Sequence, residues 1–388
     1  MPTLPIAAKP EDAGVDSARL QALFARAKHE VDAGNIPGCQ VALGRNGVLA
    51  GAATFGSSRH GEAERPVTDD TLYTIFSSTK GIVSVAAWQL LEQGKIRLED
   101  KVADHIPEFK TNGKEVVTIE QALLHIGGFP QAPLGPPKWA TREGRREAFA
   151  RWRLTYEPGT KFEYHASSLH WVVVDLVERH TGMEWHQYLR ERLIAPLGLK
   201  DHLYIGLPRE LNPRVADIYY VTEPTPPPGG WGEVTPYAIL RFNDPGQREI
   251  GIPGGGGIGT AGALALFYQA LVNGGVSHDG NRILKPETID MAIIPRTDDR
   301  HVDLLWGKPI NRSLGMMVAG DRENMPYRGF GTACSERAFG HAGAGGQLAW
   351  GDPDSGISLG FTTNGFAGEI EMRDRTRDLS TLAAQCAI

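Results

Sequence analysis

The chain has 388 residues, of which 41% are hydrophobic and 22% charged, with a formal charge of −6. That balance suits a globular protein with a substantial core and excludes a strongly basic or acidic partner. No Lys/Arg run points to nucleic acid.

Cys39, Cys334 and Cys386 lie far apart without CxxC spacing, which argues against a disulfide framework and reads as buried small side chains in a reducing compartment. The N-terminus lacks a basic segment followed by a long apolar one, and no stretch approaches about 18 uninterrupted apolar residues. A cytoplasmic location, away from membranes, is the expectation.

Residues 16–33, "DSARLQALFARAKHEVDA", open with an Asp-Ser cap and carry Leu20, Leu23, Phe24 and Val31 at helical spacing. Two apolar runs then flank Asn46-Gly47, whose residues both tolerate positive φ, so a hairpin is predicted. From 81 to 199 the pattern is helical, in "IVSVAAWQLLEQG", "TIEQALLH", "REAFARWR" and "SSLHWVVVDLVERHTG", with Pro/Gly connections between. Residues 220–232, "YVTEPTPPPGGWG", form a semi-rigid connector. "GIPGGGGIGTAGALALFYQALVNGG" reads as a loop feeding a helix, and "GQLAWGDPDSGISLGFTTN" as a second hairpin. A helix over 368–385 closes the chain.

This order, α/β then mostly α then α/β, predicts an α/β plus all-α fold. Residues 1–80 and 233–388 would form a discontinuous α/β domain, an antiparallel sheet flanked by helices. Residues 81–232 would be a helical insertion, with the active site in the cleft between the two.

Three local patterns lack the context their chemistry requires. Ser358 in "GISLG" matches the nucleophile elbow of α/β-hydrolases, but it lies in a predicted hairpin strand and no histidine follows His341. Gly257-x-Gly259-x-x-Gly262 follows no strand and sits in no βαβ unit. Among twelve histidines there is no HExxH and no tight His/Cys cluster, so no metal or other cofactor is expected.

Ser77-x-x-Lys80 places two side chains one helical turn apart on one face. A serine hydroxyl becomes a strong nucleophile when a neighbour takes its proton, and a lysine can do so where burial and a helix N-terminus disfavour its charge. Serines also cap helices, and the motif alone leaves both readings open.

Two further segments bear on the choice. "YEPGTKFEYHASSLHW" puts Tyr164 just before a helix, and "FGHAGAGGQLAWG" puts His341-Ala342-Gly343 at the start of a strand hairpin. With these, the chain resembles the serine β-lactamase and penicillin-binding-protein superfamily, in particular the class C β-lactamase-like group with family VIII carboxylesterases and D-stereospecific peptidases. The resemblance spans nearly the whole chain. It implies a β-lactamase/transpeptidase-like fold with Ser77 as the acylated nucleophile, Lys80 relaying its proton and Tyr164 as general base or acid. His341-Ala342-Gly343 takes the place of the K-T-G strand, and the oxyanion hole falls to the backbone N–H groups of Ser77 and Ala344. Whether Lys80 or Tyr164 accepts the proton stays open.

Ala166 stands where the family usually has Asn or Ser, and Ser167 is a candidate substitute. His341 replaces a lysine that helps bind β-lactam carboxylates, which tilts the expectation toward uncharged substrates. The expected activity is that of a carboxylesterase on small, short-chain esters. D-amino-acid peptidase, β-lactamase and acyltransferase are rivals on the same machinery, and a non-catalytic binding or scaffold member is the rival from another class. Oligomeric state is not legible. The spacing to Lys80 selects Ser77 over Ser78, leaving Ser78 as a capping or neighbouring hydroxyl.

Overall fold

The computed structural model describes residues 3–59, 65–226, 230–232, 234–304 and 306–388. Helix α1 (Ser17–Asp32) starts where Asp16 accepts the Arg19 N–H at 2.9 Å. Its Leu20, Leu23 and Ala27 form the buried stripe the spacing predicts. Strands β1 (Gly38–Arg45) and β2 (Val48–Gly56) pair antiparallel. Asn46 and Gly47 between them have φ of 54° and 84°, the two left-handed residues a tight hairpin turn demands.

Strand β3 (Tyr73–Phe76) runs directly into α2 (Ser78–Glu92). This helix is buried on every side through Leu90, as its lack of a polar face requires. After α3 (Arg142–Arg151) comes α4 (Ser168–Thr181), which packs along α2. Strands β4 (Leu203–Ile205) and β5 (Gly257–Gly259) precede α5 (Ala261–Val272). The chain finishes with β6 (Met317–Val318), β7 (Phe339–Gly340), β8 (Leu348–Gly351), β9 (Ser358–Thr363) and α6 (Glu369–Ala384).

Six strands form one sheet in the order β2-β1-β9-β8-β7-β6, and the pairs along it are antiparallel. Strand β1 runs against β9 from Cys39↔Thr363 to Gly44↔Ser358, so the two ends of the chain share a sheet as expected. The two-residue period sends Cys39, Val41 and Leu43 into a core with Leu20, Leu23, Phe361 and Leu379, beneath α1 and α6. Ala42 faces the other way, into a core with Leu264 and Phe267 of α5. That second core continues through Trp88, Phe109, Trp152 and Leu169, so α2, α4 and α5 bury a common interior.

The segments read as loop or helix contain three short strands. Gly257–Gly259 is the middle of the antiparallel sheet β3-β5-β4. Strand β4 and the pair at Tyr219–Tyr220 follow the helical pattern of 81–199, within the 81–232 segment expected to be mostly helical. Two or three residues carry no periodic signal. Partners distant in sequence make them strands.

Candidate active site

Phe76, at the end of β3, has φ of +45°, an unusual backbone for an aromatic residue. Such outliers persist where the surrounding structure over-determines them. Here the conformation turns strand into helix within one residue. Thr79 holds that turn: its hydroxyl donates to the Phe76 carbonyl at 2.5 Å and accepts the Gly257 N–H at 2.9 Å, tying α2 to β5.

Ser77 occupies the position before the helix, half-buried, and its hydroxyl caps nothing. Of the two readings of Ser78, capping or neighbouring hydroxyl, the second describes it: its hydroxyl is buried with no hydrogen-bond partner among the described residues, and Thr79 anchors the turn.

Lys80 is fully buried and reaches back along the helix, its Nζ 3.3 Å from Ser77 Oγ. The same nitrogen donates to the Ala166 carbonyl at 2.6 Å and to the Gly254 carbonyl. As an ammonium it has N–H groups for both carbonyls and for Ser77. As an amine it keeps two N–H for the carbonyls and directs its lone pair at the serine hydroxyl. The missing side-chain amide at 166 is thus answered by a backbone carbonyl from that very residue.

The Tyr164 ring lies with its centroid 4.9 Å from Lys80 Nζ. Its other neighbours are the His125 ring, stacked at 4.9 Å with 12° between planes, the Arg312 guanidinium at 5.3 Å and the His341 ring at 6.1 Å.

Four histidines in and around this wall, His125, His165, His170 and His341, are buried, and burial is the leading cause that holds each of them neutral, well below the usual imidazole range. For His165 the value falls to about 3. Neighbouring positive charge from Arg312 and Lys80 pushes in the same direction.

His341 Nδ1 donates to the Ala342 carbonyl at 2.8 Å, and its Nε2 accepts from Arg312 Nη1 at 3.3 Å. A neutral ring with its proton on Nδ1 satisfies both contacts.

Gly343 follows, pressed against β3: a Cβ there would sit 2.3 Å from the Ile75 carbonyl oxygen. Only glycine permits that approach. It brings the 343–344 backbone alongside the strand that delivers Ser77, and Ala344 packs against the cluster of Phe76, Ile218, Ile239 and Phe366. Neither the Ser77 nor the Ala344 N–H meets a protein acceptor among the described residues. Two such donors on adjoining segments can receive an oxyanion.

Ser358 is elsewhere, fully buried in β9 with its hydroxyl donating to Gln269 at 3.1 Å. A cavity of about 460 Å³ between the N-terminal segment, β2 and His202 contains none of the site residues. Among the described residues no group of three or more His, Cys, Asp or Glu could hold a metal ion, and no described helix is long and apolar enough to cross a membrane. Sequence reasoning did not single out Arg312, His125 or the two carbonyls that hold Lys80. No motif marks them, since carbonyls have no residue signature and Arg312 is a lone cation in "INRSLG".

The chain belongs to the beta-lactamase family, whose model matches residues 23–383. The antiparallel sheet with its flanking helices is the β-lactamase/transpeptidase-like fold, and the family is one of serine hydrolases. Over 334 residues the chain is 29% identical to an esterase/beta-lactamase, LipL, of Mycobacterium tuberculosis, covering 80% of this chain and 73% of that protein. A penicillin-binding-protein homolog from Caulobacter crescentus superposes with a TM-score of 0.79 at 28% identity, over 97% of this chain and 99% of the other. A family VIII carboxylesterase shares the fold with a TM-score of 0.79 at 24% identity, over 95% and 99% of the two chains.

Proposed function

We propose that the protein is a carboxylesterase acting on small, short-chain esters through an acyl-enzyme on Ser77. The observation that carries this reading is Lys80 Nζ, held by two backbone carbonyls and 3.3 Å from Ser77 Oγ. Ser77 Oγ gives its proton to the Lys80–Tyr164 pair and bonds to the ester carbonyl carbon, whose π electrons move to oxygen. The N–H groups of Ser77 and Ala344 stabilise that oxyanion. The C–O bond to the alcohol then breaks and the stored proton leaves with the alcohol. Water repeats the cycle on the acyl-serine. The site lies where a discontinuous α/β lobe, 1–80 with 233–388, meets a mostly helical lobe, 81–232. The partner is a small ester, with no nucleic acid or membrane required, and the protein works in the cytoplasm.

A D-amino-acid peptidase is the second reading. Neutral His341 argues for uncharged substrates, yet Arg312 restores a positive charge beside it. The likeness to a penicillin-binding-protein homolog points the same way.

A burst of p-nitrophenol from the acetate or butyrate ester tests the enzyme reading, with parallel assays on nitrocefin and a D-alanyl peptide. The burst is expected to vanish in Ser77→Ala and persist in Ser358→Ala. The opposite pattern overturns the site, and absence of turnover in the wild type overturns the enzyme.

A further inference from the structure

The turn between β7 and β8 carries Ala344, and three successive peptides in it are held by their carbonyls. The Gly343 carbonyl accepts the N–H groups of Gly346 and Gln347, both at 3.1 Å, and the Gly343 N–H donates to the Gln347 carbonyl at 2.9 Å. The Ala344 carbonyl accepts from Gln347 Nε2 at 3.3 Å, and the same buried amide exchanges two hydrogen bonds of 2.9 Å with the Thr363 backbone in β9. The Gly345 carbonyl accepts from Arg375 Nη2 at 2.8 Å. A trans peptide points its N–H away from its carbonyl, so the anchored Gly343 oxygen directs the Ala344 N–H out of the turn.

Arg375 lies in α6 and its side chain is fully buried. Its hydrogen bond to Gly345 is the one it makes among the described residues, since Nε and Nη1 have no hydrogen-bond partner. Its charge is answered by Glu30 of α1, an ion pair at 3.5 Å that Glu30 shares with Arg26. The Phe361 ring of β9 stands with its centroid 5.9 Å from the guanidinium. Burying a guanidinium is costly even when paired, and an apolar side chain of similar volume fills a core at no such cost. What the arginine adds is a charge-assisted donor to one carbonyl of the turn.

Gly345 and Gly346 have φ of 77° and 86°. Glycine on both sides of a peptide lets it rotate at little steric cost, so the 345–346 peptide is the weak point of the turn. Rotating it would take the Gly346 N–H off the Gly343 carbonyl, and the peptide that carries the Ala344 N–H would lose one of its two holds. Arg375 opposes this by fixing the Gly345 oxygen, and Gly346 leaves it room: a Cβ there would lie 2.6 Å from Nη2. We propose that Arg375 is a positioning residue for the oxyanion site, keeping the Ala344 N–H turned toward the acyl carbonyl on Ser77. A donor aimed in advance needs no reorganisation as the charge develops.

The inference rests on the acyl-enzyme reading, so the test keeps the two apart. Wild type, Arg375→Met, Arg375→Lys and Ser380→Ala are compared on p-nitrophenyl acetate, with active sites counted by the burst and every rate taken well below the thermal midpoint. An alkyl trifluoromethyl ketone probes the oxyanion, because its adduct on Ser77 is a hemiketal anion that the same N–H groups receive. Arg375→Met is expected to lower kcat about 30-fold with KM within about threefold, and to weaken ketone binding about 30-fold, less than the 10²–10³ that follows outright loss of a donor. Arg375→Lys should restore most of both, since an ammonium still donates to a carbonyl. Ser380→Ala removes the acceptor of the Trp350 indole N–H, a 3.1 Å bond between α6 and β8 away from the turn. It should lower the thermal midpoint and leave kcat and ketone affinity as they are.

Because Arg375→Met deprives Glu30 of one of its two cations, the measurements are repeated in Arg375→Met/Glu30→Gln, where the carboxylate goes with its partner. Values of kcat per active site and ketone affinity within about threefold of wild type in the Met variants overturn the proposal. So do losses that Ser380→Ala reproduces at an equal fall in thermal midpoint, and so does a change confined to the number of active sites, since either makes Arg375 a packing residue only. Failure of the wild type itself to react at Ser77 with ester or ketone overturns the acyl-enzyme reading instead.

Discussion

Lowering the pH from 7 to 5 should strip stability from this protein faster than from most, because four histidines are buried without their protons. Each of His125, His165, His170 and His341 has a folded pKa pushed below its ordinary value, chiefly by burial. An unfolded histidine titrates near 6.5, so as the pH falls the unfolded chain binds the proton first. The stabilisation is complete above that value and is lost as the pH drops toward the folded one, about 3 for His165.

At pH 5 the loss is about 2 kcal/mol for each histidine that stays neutral in the fold, hence about 8 for four, against a typical total of about 5–15 kcal/mol. Urea unfolding at half-unit steps from pH 7.5 to 5, with protons taken up on unfolding counted calorimetrically, checks this. Uptake should reach at least four protons near pH 5, with a further contribution from His180, which burial also lowers, and fall by about one in His170→Gln. A midpoint that stays level between pH 7 and 5.5 refutes the reasoning, since carboxylates titrate too low to offset the term over that interval.

Two further substitutions test the frame of the site. Gly343→Ala drives a Cβ to 2.3 Å from the Ile75 carbonyl, so the Ala344 N–H must shift and kcat should fall by about 10²–10³; native kcat at an unchanged thermal midpoint would contradict the placement of the oxyanion donors. Trp88→Phe removes an indole N–H that serves the Leu314 carbonyl at 2.8 Å inside the core. It should cost about 1–3 kcal/mol by urea denaturation with kcat little changed, and a cost under about 0.5 kcal/mol would place that carbonyl within reach of solvent.

What was readable in advance came from local signals. The helical stripe of α1, the Asn46-Gly47 turn and the second hairpin are short-range patterns, and each occurs where the spacing predicts. The nearness of Ser77 to Lys80 is legible because one turn of helix separates them, while Tyr164 enters only through the family resemblance; the structure sets the three side by side. Strand β5 differs from the loop expected there because its environment comes from remote segments: it is a strand only through Tyr73–Phe76 and Leu203–Ile205, and its Gly257 N–H gives Thr79 the contact that ties it to α2.

The amino-acid order by itself determined the main helices and hairpins and the serine and lysine one turn apart, since periodicity and turn chemistry act over a few residues. Only the tertiary structure decided how that pair is held and what charge surrounds it. Lys80 is aimed by the carbonyls of Ala166 and Gly254, which have no sequence signature, and the cation missing at His341 arrives as Arg312 from a neighbouring strand segment. Backbone acceptors and electrostatic fields depend on position in space, and a sequence encodes that only through the whole fold.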